Sequence, residues 1–211
     1  LAIASYADLK TSIAAWTHRS DLTSYLDDFI DLTEAMFKSE PRPPDDPDIG
    51  GLRVEITTAT GTLTAGQDYI AKPADFLSPI SFSLTGENGG RAEFVNYSAM
   101  DLKAQTTNGK PKFWTVTDNL DFDRSPDSAY AYELKYWSQP DALDGSTTTN
   151  TVTANYPEVY LAGCLYNAFD FIHDDQNAAK WLARYKAYAW SASRTFHQST
   201  MSQGAISAFV A

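Results

Sequence analysis

The chain has 211 residues, a formal charge of -11, 43% hydrophobic residues and 13% aromatic residues. These values exclude disorder for most of its length and predict a core that buries about 70% of the surface the unfolded chain exposes. They also argue against adhesion to nucleic acid or an anionic membrane, since both need clustered Lys and Arg; an acidic wall past which DNA slides is still compatible.

The single cysteine, Cys164, excludes an internal disulfide and a thiolate metal cluster, and its apolar neighbours fit a buried, inert thiol. The opening residues show no basic-then-apolar pattern, and no apolar run is long enough to span a bilayer, so synthesis and residence in a cytoplasm are expected.

Ser5 followed by Asp8 reads as a capped helix start, with Tyr6, Leu9, Ile13 and Trp16 at helical spacing. A second helix follows: Leu22, Tyr25, Leu26, Phe29, Thr33, Met36 and Phe37 form its apolar stripe, and Asp27, Asp31, Glu34 and Lys38 are expected on its outer face. Pro41, Pro43, Pro44 and Pro47 among Asp45, Asp46 and Asp48, closed by Gly50 and Gly51, predict an exposed acidic loop.

From Leu52 the period becomes two. Leu52, Val54 and Ile56, then Ile80, Phe82 and Leu84, alternate with polar residues, and a "GENGG" turn precedes Phe94. A short helix is expected near Ser98–Gln105. Trp114 and Val116, Leu120 and Phe122, then Tyr130, Tyr132, Leu134 and Tyr136 continue the alternation, with the tyrosine row on the core side and Glu133 and Lys135 in water.

After a polar linker, Pro157 fits the first turn of a helix lined by Leu161, Leu165, Ala168, Phe169 and Ile172. Asp174 or Asp175 caps a last long helix carrying Ala178, Leu182, Tyr185, Ala189, Ala192 and Phe196 in register. Beyond Gln198 the periodicity is lost.

The expected organisation is N-terminal helices over 1–40, the acidic loop over 41–51, a β subdomain with a short helix over 52–141, a linker over 142–153, a helix pair over 154–197 and an extended tail over 198–211. The expected fold class is α+β, with N- and C-terminal helix pairs forming one helical bundle and an antiparallel β subdomain inserted between them.

No set of residues supports an enzyme. His173, Asp174 and Asp175 are adjacent and point different ways around a helix end, which suits capping better than metal binding; His18 and His197 suit polar surface positions. Asp121, Asp123 and Asp127 lack the glycine and the terminal glutamate of a calcium loop and are expected to be solvated. The pairs Asp27/Asp31 and Asp28/Asp31 lack any sign of the burial that an acid–base dyad needs. No G-x-S-x-G elbow or phosphate-cradling glycine loop occurs. No metal or cofactor is therefore expected.

Four segments in order, "SYADLKTSIAAWTHRSDLTSYLDDFIDLTEAMF", "TTATGTLTAGQDYIAKPADFL", "KPKFWTVTDNLDFDRSPDSAYAYELKYW" and the closing helix pair, resemble the tailed-bacteriophage adaptor (head-to-tail connector) family over most of Ser5–Ser193. The "Y-x-x-x-P-A-D-F-L" of Tyr69–Leu77 and the "P-D-S-A-Y-x-Y-E-L-x-Y" of Pro126–Tyr136 carry most of the likeness, and both read as structural motifs.

The resemblance implies a non-enzymatic virion protein of the neck, assembled in the host cytoplasm. Its copies would form a ring, typically dodecameric, docked beneath the portal protein and bridging it to a tail or nozzle protein. Helices would build the ring and a C-terminal arm would reach the portal. DNA would pass along the channel without sequence-specific binding. Phe196, Met201, Ile206, Phe209 and Val210 are the candidates for anchoring on a neighbouring subunit or the portal. The acidic loop over 41–51 departs from the more direct and more basic connection the family suggests.

Other readings are a tail or capsid structural protein placed elsewhere in the particle, and a carbohydrate-binding module using Trp114, Tyr132 and Trp137. A metal-dependent hydrolase around Asp121 and Asp123 is a further alternative.

Overall fold

The Ser5 hydroxyl accepts from the Asp8 amide at 3.2 Å and donates to the Asp8 carboxylate at 2.8 Å, starting the first helix, α1 (Tyr6–Thr17). His18, in the left-handed region with φ 53°, ends it. In the computed structural model, which describes residues 3–39, 51–86 and 89–206, with side chains in 3–38, 51–86 and 89–198, a single 3-10 turn (Thr23–Tyr25) leads into α2 (Leu26–Ser39). The acidic Pro-rich loop predicted over 41–51 lies outside the described residues except for Gly51.

The remaining elements are β1 (Ile56–Thr62), β2 (Tyr69–Ala71), β3 (Phe76–Leu84), β4 (Gly90–Phe94), α3 (Tyr97–Lys103), β5 (Phe113–Val116), β6 (Asn119–Phe122), β7 (Ala131–Ser138), α4 (Thr151–Asn155), α5 (Pro157–Phe171) and α6 (Asp175–Ile206). They divide into two compact units. Leu1–Glu55 with Gln139–Ala211 makes a helical unit, and Ile56–Ser138 makes a sheet unit.

In the helical unit α5 is central, since α1, α2, α4 and α6 all pack on it. Its residues Val159, Tyr160, Ala162, Cys164, Leu165 and Ala168 are fully enclosed. They meet Leu9 and Ile13 of α1, Phe29, Ile30 and Phe37 of α2, and Trp181, Tyr185 and Ala189 of α6. Each large side chain buried this way contributes about 1.5–3 kcal/mol relative to leaving it in water.

The approach of α5 to α2 is close enough to require Gly163. A Cβ there would lie 2.4 Å from Thr33 Cγ2. Thr33 returns its hydroxyl to the Phe29 carbonyl at 2.7 Å and accepts from the Asn167 amide nitrogen at 3.1 Å, so its position is set from both helices.

In the sheet unit the seven strands run in the order β1-β7-β3-β4-β5-β6-β2. Most pairs are antiparallel, but β4 and β5 pair in parallel, with α3 in the crossover that a parallel pair requires. Pro79 sits in β3 beside a register shift against β7, where its missing N–H does least harm to the ladder. Phe82 organises the core, with ring centroids 5.1 Å from Phe122, 5.2 Å from Tyr132 and 5.7 Å from Trp114.

The two motifs that carry the family likeness meet here. Tyr136 donates its hydroxyl to the Asp75 carboxylate at 2.9 Å and stacks on Phe76 at 5.4 Å. The Gly66 amide, in the turn before β2, reaches the Pro126 carbonyl at 2.9 Å.

This architecture corrects the expected one of helix pairs forming a single bundle with an inserted antiparallel β subdomain. Among the described residues the fold is α+β with six α-helices and a substantial seven-stranded mixed sheet. The sheet sustains its own core of Leu63, Phe82, Leu84, Trp114, Leu120, Phe122 and Leu134, and its parallel step breaks the antiparallel pattern.

Local differences have local causes. Leu52 and Val54 alternate like a strand but are buried in the helical core, without ladder partners. The polar 142–153 segment contains buried Leu143 and Val152, and Asn150 caps α4 there through a reciprocal box with Thr153. The last helix continues past Gln198 to Ile206, because no Gly or Pro interrupts it before Gly204.

Gly163→Ala is expected to lower stability by about 1–3 kcal/mol, because Thr33 is held by bonds from both helices and cannot yield freely. Denaturant melts measure this. Tyr136→Phe should cost about 1–2 kcal/mol by removing the Asp75 hydrogen bond.

Candidate functional site

His173, with φ 58°, turns the chain between α5 and α6. Asp174 then accepts from the Asn177 amide at 3.1 Å and from its side-chain nitrogen at 2.7 Å, and these bonds hold its carboxyl below the usual range. The His173–Asp174–Asp175 run is thus a turn and a helix cap.

From that cap α6 extends about 48 Å at 1.5 Å per residue. Ala178, Trp181, Tyr185, Ala189 and Ala192 face the core. Lys180, Ala183, Lys186, Ala187, Trp190, Ser191 and Arg194 are exposed. Arg184 lies over the edge-of-core Trp181 ring at 4.5 Å and Arg194 over exposed Trp190 at 5.2 Å, so Trp190 and positive charge share the outer face.

Of the anchoring candidates, Phe196 is half-buried on this helix, and Met201 and Ile206 fall on its helical backbone. Phe209 and Val210 lie outside the described residues. The structure therefore places the first three on one helix rather than in an extended tail.

The outer face of α2 has the opposite charge. Asp27 accepts from the Tyr6 hydroxyl at 2.5 Å and pairs with Lys10 at 2.6 Å, which lowers its carboxyl's pKa. Burial, followed by the hydrogen bond to Asp27, pushes the Tyr6 hydroxyl upward. Asp28, Asp31, Leu32 and Ala35 are exposed beside them, and Leu32 keeps 53% of its surface.

Glu34, expected on that acidic face, is instead buried. Its Oε1 accepts from the Leu143 amide at 2.8 Å and from the Tyr160 hydroxyl at 2.9 Å. Asn150 donates in turn to the Tyr160 oxygen at 2.7 Å and to the Asp141 carbonyl at 2.7 Å. Burial raises the Glu34 carboxyl, and the two hydrogen bonds only partly oppose the rise. Burial also pushes the neighbouring Cys164 thiol up to about 12, leaving it a poor nucleophile.

The acid cluster of the sheet is structural. Asp123 is buried and accepts from the Lys112 amide at 2.8 Å, the Phe113 amide at 3.0 Å and Arg124 Nε at 2.9 Å, so it braces the start of β5. That corrects its expected solvation. Asp121 accepts from Thr117, and Asp127 from the Tyr130 hydroxyl. Among the described residues no group of three or more His, Cys, Asp or Glu is arranged to hold a metal ion.

The sheet aromatics do not form a sugar platform. Trp114 and Trp137 are buried, and Tyr132 is stacked on Phe82. A cavity of about 320 Å³ opens where the β3–β4 ladder stops at Phe82 and Ala92, lined by Ile80, Ser81, Arg91, Glu93, Phe94 and Trp114.

Two features of the site have signals in the sequence. Ile30, Glu34 and Phe37 share a helical stripe, so the i, i+4, i+7 spacing could have placed Glu34 inward. The basic face of α6 was legible in residues 176–206, which contain no Asp or Glu.

A family model described as SU10 adaptor protein matches residues 4–205 of the chain. No curated protein matches it.

Glu34 supplies a pH test. Its folded-state pKa is raised above the ordinary 4.5, so its contribution to stability is full below the unfolded value and is lost as pH rises through the folded value. Glu34→Gln keeps an acceptor for Leu143 and Tyr160 and removes the titration. The stability of the variant relative to the parent is expected to increase as pH rises from about 4 to about 7. Thermal melts of both proteins at each pH measure the difference, and the lowered carboxyls of Asp27 and Asp174 cancel in it.

Proposed function

We propose, since the chain belongs to the SU10 adaptor protein family and is a structural component of the phage neck, that its copies form a ring joining the portal to the tail. The observation that carries this reading is the family match, which spans nearly the whole chain, helical and sheet units alike. Adaptors of this family associate with other neck and tail proteins and are not enzymes.

In the finer reading the ring is a dodecamer beneath the portal, with a tail or nozzle protein below it, and DNA leaves the head through its channel. The ring assembles in the host cytoplasm before it is found in the virion neck. Neighbouring copies meet head to tail through two different surfaces, and rotation closes the circle. The net charge of -11 suits a conduit, because an acidic wall does not retain a passing polyanion.

Phe196, Met201, Ile206, Phe209 and Val210 anchor the C-terminal arm on the portal or a neighbouring subunit. The stretch from Ser199 to Ala211 has no charged side chain, which suits docking in an apolar groove.

Heads assembled without this chain are expected to package DNA and carry no tails in negative-stain micrographs. A chain ending at Gln198 should fold but give the same tailless heads. Normally attached tails on heads carrying the truncated chain would remove the anchoring assignment, and normal tails in the complete absence of the chain would remove the adaptor reading itself.

A further inference from the structure

The charge of the helical unit is unevenly divided. Lys180, Arg184, Lys186 and Arg194 against Asp175 give α6 a formal +3, so the rest of a chain at -11 carries -14. None of the four cations makes an ion pair among the described residues. Asp28 and Asp31 on α2 are equally unpaired there, and both are exposed. Apart from Lys38 at the end of α2 and Asp175 at the start of α6, unpaired charges of opposite sign are therefore segregated onto two helices of one compact unit.

The placement of those helices matters as much as their charge. Both α2 and α6 pack on α5 without substantial contact with each other, so they cover different sides of it. A unit with an acidic helix on one side and a basic helix on another can join its copies in series, each basic face on the next acidic face. Such a contact is heterologous and closes into a ring if its rotation divides a full turn.

The shapes also correspond. The exposed stripe of α6 has Ala183, Ala187 and Ser191 at intervals of four, which leaves a shallow groove flanked by Lys180, Arg184 and Arg194. The exposed stripe of α2 has Leu32 projecting between Asp28, Asp31 and Ala35. Leu32 in the small-residue groove, with the carboxylates beside the cations, satisfies both the apolar and the charged parts of each helix.

We infer that the outer face of α6 docks on the acidic outer face of α2 in a second copy of this chain, and that this helix pair is the repeating subunit contact. The inference rests on the ring proposed above and assigns its two surfaces. DNA is the competing ligand for a basic face with exposed Trp190, but nucleic-acid binding does not require the unpaired Asp28 and Asp31 with Leu32 between them.

Two full-length variants test the assignment: Asp28→Lys with Asp31→Lys, and Lys180→Glu with Arg194→Glu. All four positions are exposed, so both variants should melt like the parent. Self-association, measured by sedimentation at low salt, is expected to weaken at least about tenfold in each variant alone. A mixture of the two should recover it, because alternating copies restore opposite charges at every junction.

Association of each variant at the parental level would overturn the helix assignment and leave the ring reading standing. Failure of the mixture to recover what each variant lost would also overturn it. A parent chain that never associates, alone or with portal, would overturn both. Parental association with lost affinity for short duplex DNA in the α6 variant would reassign the basic face to nucleic acid.

Discussion

The helical unit depends on the buried carboxylate of Glu34. One oxygen accepts from the Leu143 amide and the Tyr160 hydroxyl, and so ties α2 to the segment that returns from the sheet and to the central helix α5. Leu143 and Tyr160 lie 109 and 126 positions from Glu34 in the chain, and loop closure across such distances costs entropy that local contacts cannot repay. Hydrophobic burial supplies most of that free energy but has no direction. The Glu34 bonds set the register of the returning segment. Asn150 extends the same network by capping α4, holding Tyr160 and fixing Asp141.

The arrangement stabilises one registry at a cost in desolvation. A buried carboxylate without its donors would be strongly destabilising, and with them it is tolerated rather than favoured. Gly163 against Thr33 acts in the same way, since a helix approach that excludes even a methyl group leaves little room for sliding.

Much of the fold was legible in the sequence where periodicity and capping agree. Ser5, Pro157 and Asp174 begin helices as their chemistry requires, and Phe82, Leu84 and Leu134 are core residues as their alternation requires. What was not legible depends on distant partners. Leu52 and Val54 alternate like strand residues, yet helices rather than a neighbouring strand bury them. Asp123, expected to be solvated, is buried because two amides at the start of β5 need an acceptor. The parallel β4–β5 step leaves no local signature, since its pairing is decided by where the α3 crossover returns the chain. The functional surface was legible only in part: the apolar residues of the C-terminal arm were visible, but the opposition of α2 and α6 needs the third dimension.

The chain combines a sheet unit whose acids and aromatics serve its own core with a helical unit that has unpaired charges of opposite sign on different sides. The family match makes the chain a phage adaptor structural protein, and the opposed charges suit the proposed contact between copies. The proposed ring requires that this chain assemble with itself into a closed circle. Native mass measurement of the full chain, alone and after addition of purified portal, tests it most directly. A closed ring gives one discrete species at an integral multiple of the 23.3 kDa subunit. A single-subunit mass under both conditions, or an open ladder of multiples with no preferred size, would contradict it.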